Sequence, residues 1–186
     1  MKKLCAFGLA SVALLTACGG DDDKDPTGPG NGNSGYTATI TGVPGLTESS
    51  GDAFWTAGTD AESGEGAFVI GLRPEGETDT GVLFFRPGAE RAPTGSYPFV
   101  DNNAAPVPQN FQMIAFLPGF ICGAKTGTLN ISESGSTHVK GTFQIDGQCA
   151  STTTEEPEFD VTVNGTFDAV NGSVTVPTLA IARVDR

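Results

Sequence analysis

The chain has 186 residues and a formal charge of −12, with 22 acidic against 10 basic side chains. A surface this acidic repels nucleic acid and anionic bilayers, which argues against both as partners. Its 26 glycines and 12 prolines leave no window for a sizeable amphipathic helix beyond the first residues, and the many Thr, Val and Phe favour strands.

Residues 1–17 have the grammar of a bacterial export signal. Lys2 and Lys3 give a positive start, and Leu4 to Leu15 form an apolar run shorter than the ~20 residues that span a bilayer. Leu15-Thr16-Ala17-Cys18 resembles a lipobox, in which the cysteine is lipidated and becomes the first residue of the mature protein. The expected address is the cell envelope, with a lipid on Cys18 holding the protein in the outer membrane and the cell surface as its outlook. Residues 18–35 then comprise the lipidated cysteine and a Gly/Asp tether without an apolar residue to join a core. The tether's acidic start resembles surface-export signals of bacterial lipoproteins, and reads equally as a solvated spacer.

Residues 36–186 form one all-β domain in this reading. Short alternating runs between turn clusters predict strands near 36–43, 53–58, 66–73, 80–86, 95–100, 110–117, 126–132, 137–146, 158–168 and 173–184. The expected architecture is an antiparallel β-sandwich of about ten short strands, with a closed β-barrel as the alternative. Trp55 shares its parity with Ala53 and Ala57 and is expected in the core, whereas Phe54 groups with Asp52 and Thr56. Val82-Leu-Phe-Phe85 is apolar on both parities, as in a strand covered on both sides or touching a partner.

The two clearest alternations come late. Val139, Gly141, Phe143 and Ile145 share one face, opposite His138, Lys140, Thr142 and Gln144. Phe159, Val161, Val163, Gly165 and Phe167 share another, opposite Asp160, Thr162, Asn164 and Thr166. These strands are expected as neighbours, joined by an acidic loop from Gly147 to Pro157. A glycine at the same inward position of each leaves space for a bulky neighbour or a bend.

Gly51-Asp-Ala-Phe-Trp55-Thr-Ala57, Gly95-Ser-Tyr97, Val139-Lys-Gly-Thr-Phe143 and Val163-Asn-Gly-Thr-Phe167, in this order, resemble an uncharacterised family of β-rich bacterial lipoprotein domains. Members carry a lipobox, a Gly/Asp tether and one all-β domain, and the resemblance spans most of residues 36–170. It implies a lipid-anchored domain and assigns no activity or catalytic residue. It does not extend to Cys122 and Cys149.

Few residues carry recognisable chemistry. Cys5 falls in the signal and Cys18 is the lipid site. Cys122 and Cys149 remain, and in an exported chain a disulfide between them is the default over a zinc or redox pair, which would need C-x-x-C spacing or further ligands. Gly30 to Gly35 fits G-x-G-x-x-G, but without a preceding strand and following helix it cannot aim a helix N-terminus at a pyrophosphate. Gly119 to Thr126 misses a phosphate-binding loop because Ala124 stands where a glycine is needed before Lys125. His138 is the only histidine, which excludes paired-histidine metal sites, and it is expected on a solvent face. Glu62, Glu65, Glu75, Glu77, Asp79, Glu155, Glu156 and Glu158 make acidic loops with oxygen ligands for weak Ca²⁺ binding, without diagnostic spacing; no other cofactor or metal is expected.

The function expected from these features is a lipid-anchored cell-envelope protein with a non-catalytic β-sandwich interaction domain and an unnamed protein or glycan partner. The alternative is a carbohydrate- or hydrophobic-ligand-binding module, which an exposed aromatic row or a deep apolar cavity would favour. A hydrolase comes third and would need two carboxylates converging near His138.

Overall fold

A computed structural model describes residues 34–59, 65–77, 80–153 and 157–172. Cys18, the tether through residue 33, Glu62, Asp79, Glu155, Glu156 and the strand expected at 173–184 lie outside the described residues, while Gly35, the last glycine of the tether motif, opens the first strand.

Nine strands are present among the described residues: β1 (Gly35–Thr41), β2 (Glu48–Thr59), β3 (Gly66–Pro74), β4 (Gly81–Pro87), β5 (Gly95–Val100), β6 (Gln112–Leu117), β7 (Phe120–Ser134), β8 (His138–Ser151) and β9 (Phe159–Asn171). Each pairs antiparallel with its neighbour in the ring β1-β2-β3-β4-β6-β7-β8-β9, and β9 returns to pair with β1 from Gly35↔Asp168 to Thr41↔Thr162. The fold is therefore a closed eight-stranded barrel with one extra strand, not the expected sandwich. Alternation specifies the inner and outer faces identically in both architectures. Closure depends instead on which edges meet.

The extra strand has a simple place. β5 pairs with Thr126–Ile131 of β7, and β6 pairs with Phe120–Gly123 of the same edge, in the same direction. The two act as one barrel stave interrupted by the excursion 101–111. That segment, with Pro106 and Pro108, lacks strand alternation and is held to the outside of β6 by amides. Gln112 Nε2 donates to the carbonyls of Asp101, Asn102 and Ala104 at 3.2–3.4 Å, and Asn102 Nδ2 donates to Met113 O at 2.9 Å.

The near-miss phosphate loop is part of a hairpin. Pro118 and Gly119 join β6 to β7, and Gly119 has φ +81°, which suits glycine at the third position of a type II turn. β7 then runs for 15 residues through two register shifts, at Ala124/Thr126 and Ile131/Glu133. Such bulges bend a long strand and let it coil around a barrel. β8 continues to Ser151, so its link to β9 is shorter than the loop expected from Gly147.

Aromatic rings fill the interior. Phe84 meets Phe99 and Phe143 with centroids 5.1 Å apart in both cases, and Phe68 lies between Trp55 and Phe111 at 6.1 Å from each. Trp55 is buried as its parity requires. β8 and β9 pair as expected, with Phe143 opposite Gly165 and Gly141 opposite Phe167. Each phenylalanine ring occupies the space a side chain would take on the opposing glycine: a Cβ on Gly165 would lie 2.4 Å from Phe143 Cζ, and one on Gly141 2.9 Å from Phe167. On β4, Val82 and Phe84 point inward, while Leu83 and Phe85 lie half-buried on the outside beside Ile114 and Val69.

Two arginines anchor the end of β4 and the segment that follows it. Arg86 donates to Pro108 O at 2.6 Å and Glu90 O at 3.1 Å, with its guanidinium 5.9 Å from the Phe68 centroid. Arg91 lies 5.3 Å over the Trp55 ring and donates to Ser134 Oγ, which donates to Ala92 O. Cation–π contact and hydrogen bonding together fix this segment.

Candidate functional site: an apolar recess and a polar outer face

The barrel interior contains a recess of about 40 Å³. Its walls come from every part of the ring: Ala38 and Ile40 on β1, Leu72 on β3, Val82 on β4, Met113 and Ala115 on β6, Cys122 on β7, Ile145 on β8 and Val161 on β9. These are inward positions of their strands, so the same alternation that makes the core makes the recess. Val82, Leu117 and Val163 are only partly buried and form its mouth. The recess exceeds the space one water needs and is well below the ~150 Å³ of an apolar cavity that takes benzene.

One polar pair enters this lining. Tyr36 Oη and Ser49 Oγ are 2.6 Å apart. Burial raises the Tyr36 phenol above its ordinary 10.0, and the Ser49 hydrogen bond offsets part of that rise. The folded chain thus holds the phenol proton more tightly than the unfolded chain does. The corresponding stability is present below pH 10 and is lost as pH rises through the folded value. A titration of tyrosinate absorbance should show a phenol ionising above pH 10.0 that disappears in Tyr36→Phe. Ionisation of every phenol at or below the ordinary value would contradict a desolvated Tyr36.

Cys122 and Cys149 face each other across β7 and β8 and are joined by a disulfide, with S–S 1.96 Å and Cα–Cα 4.0 Å. Both half-cystines are buried, and Cys122 lines the recess.

A second concavity, of about 830 Å³, lies on the outside of the barrel over β1, β9, β8 and β7, and is bordered on β2 by Glu48, Ser49 and Ser50. Register builds it from two rows. Thr37, Thr166, Thr142 and Asn130 are successive cross-strand partners, and so are Thr39, Asn164, Gln144 and Thr128. All eight side chains are hydroxyls or carboxamides. Thr37 Oγ1 and Thr166 Oγ1 lie 3.2 Å apart, and the other six side chains make no hydrogen bond among the described residues.

Charges mark the margins of this face. At one end His138 Nδ1 is 2.6 Å from Asp168 Oδ1, while Lys140 Nζ lies 3.3 Å from Asp168 Oδ2 and 3.5 Å from Glu133 Oε2. A hydrogen bond and charge from Asp168, with Glu133 adding charge, hold the Lys140 ammonium above its ordinary 10.5. At the other end Thr162 Oγ1 donates to Asp146 Oδ1, and Lys125 pairs with Asp160 at 2.9 Å. His138 is thus hydrogen-bonded to Asp168 on the outer face, beside the Lys140 ion pairs. Among the described residues no group of three or more His, Cys, Asp or Glu is placed to hold a metal.

The architecture also corrects the functional expectation. An interaction domain built as a sandwich is replaced by a closed ring around an aromatic cluster with an apolar recess, which fits the alternative of a ligand-binding module better. Alternation had separated Thr142 and Gln144 from the core, but not revealed that Thr37 and Thr39 join them. The recess left no sequence signal, because unfilled volume has no residue of its own. No protein-family model, curated protein or solved structure matches the chain.

Proposed function

We propose that this protein is a ligand-binding β-barrel that takes the apolar end of a small neutral molecule into the recess beside Tyr36 and Ser49. One observation carries the reading: an apolar hollow inside a closed barrel, with a single hydroxyl pair in its lining. Binding sites combine mostly apolar walls with a few placed polar groups. The size of the hollow suits a terminal methyl-bearing group, and a longer ligand would displace the mouth side chains Val82, Leu117 and Val163. A desolvated neutral phenol favours a hydroxyl or carbonyl on the ligand over a carboxylate, which the acidic chain would also repel. The role is binding rather than catalysis. The address is the one the export signal implies: a barrel held in the cell envelope through lipid on Cys18, as in the lipoprotein domains it resembles.

Straight-chain aliphatic alcohols, titrated into the full chain and followed by methyl NMR, test the reading. Shifts should saturate and concentrate on Leu72, Met113, Ile145 and Val161. Ala115→Val, which adds two carbons to the lining, should fill the hollow and abolish the shifts while leaving the chain folded. Unsaturable shifts, or shifts that persist in Ala115→Val, would refute it.

A further inference from the structure

We propose that the two-row outer face over β1, β9, β8 and β7 is a second binding site, and that its occupant is a neutral polysaccharide. The inference is independent of the recess, because it uses side chains of opposite parity on the same strands.

Charge decides the class of ligand first. The chain carries −12, yet the eight side chains of the two rows carry no charge; Glu48, opposite Thr39, is the single charged residue in the lining and ends the second row, and the other acidic and basic groups gather at the margins. A cation or a basic partner would be met by carboxylates, and an anion by lysine or arginine. An apolar partner would meet a floor of hydroxyls and amides and leave them unpaired at a cost. A neutral hydroxyl-rich ligand alone uses what is there. Threonine hydroxyls and asparagine or glutamine carboxamides both donate and accept, as sugar hydroxyls do. Six of the eight side chains have that capacity uncommitted among the described residues.

Geometry decides the form. The floor repeats at about 4.8 Å across strands and about 6.8 Å along them, so it presents a lattice and not a single convergent point. At about 830 Å³ the depression falls within the usual range for ligand sites, but it is open. A lattice in an open trough suits a chain of repeating units that passes through it. Strand propensity accounts for the threonines but not for the amides: asparagine is depleted in strands, yet Asn130 and Asn164 occupy the interior strands β7 and β9.

Affinity electrophoresis of the full chain tests the proposal, with dextran, glycogen or xyloglucan in the gel and polygalacturonate as the anionic comparison. At least one neutral polymer should retard the chain and polygalacturonate should not. The exposed double variant Asn130→Ala/Asn164→Ala should weaken retardation about tenfold or more, the effect of losing two ligand hydrogen bonds. Gln144→Arg, which obstructs the trough with bulk from an exposed position, should do the same. Both variants should melt with the wild type, since exposed substitutions shift stability by about 0.5 kcal/mol or less. Three results would overturn the proposal: no retardation by any neutral polymer, equal retardation of wild type and both variants, or sedimentation as a dimer that Gln144→Arg dissociates. The last would assign the face to a second copy of the chain.

Discussion

Phe143→Ala should lower the free energy of unfolding by about 3–5 kcal/mol, the range for removing a buried aromatic side chain. The ring meets Phe84 at 5.1 Å and Phe167 at 6.5 Å and lies against Gly165, where no side chain can follow it into the space left behind. It also borders the recess, so its loss would join a new void to an existing one instead of letting the core close. Thr142→Ala, one residue earlier and pointing outward, should cost about 1 kcal/mol or less. Urea denaturation of the two variants measures the contrast directly. A slip of one residue in β8 would exchange the two faces, so a reversed order would show that the register is wrong. Equal losses would mean that the outer face is covered as fully as the core.

The same pair explains what could be read from sequence. Inward and outward sides of β8 and β9 follow from alternation, and the matched Gly-Thr-Phe segments disclose that the strands are neighbours because each glycine makes room for the other's phenylalanine. Trp55 is placed by the two alanines beside it. Long-range closure is a different kind of information. The contact of Gly35 with Asp168 joins chain segments far apart in sequence, and nothing local to either residue distinguishes an edge that pairs from one that faces water. The first part of β7 is hard to see for a local reason: Gly123 interrupts the pattern, so Phe120–Lys125 reads as a loop although Cys122 and Ala124 alternate inward. β5 and β6 look like two ordinary strands until their common partner is known. Of the candidate sites, the outer one was half legible. Its side chains were recognisable as solvent-facing on β8 and β9, but the trough needs four strands in register. The recess was not legible at all, since it reflects how far side chains from all eight strands of the ring fail to meet.

Removal of the disulfide should be the other large effect. Cys122→Ala/Cys149→Ala frees a loop whose ends are 27 residues apart. Chain entropy puts the resulting loss near 3–4 kcal/mol, or a fall in Tm on the order of 10 °C for a domain of this size. Alanine is the informative replacement, because serine would add hydroxyls to an apolar wall and mix a desolvation cost into the result. Both cysteines are buried, so a reductant reaches the bond only when the barrel opens near its β7–β8 end. Reductant should therefore lower the wild-type Tm toward that of the double variant while leaving the variant unchanged. Alkylation and mass measurement on the oxidised protein should find neither thiol available. Two free thiols, or a double variant that melts with the wild type in the absence of reductant, would remove the cross-link from the account of stability. The recess would then rest on barrel closure and ring packing alone, and its shape would be insensitive to the redox state of its surroundings.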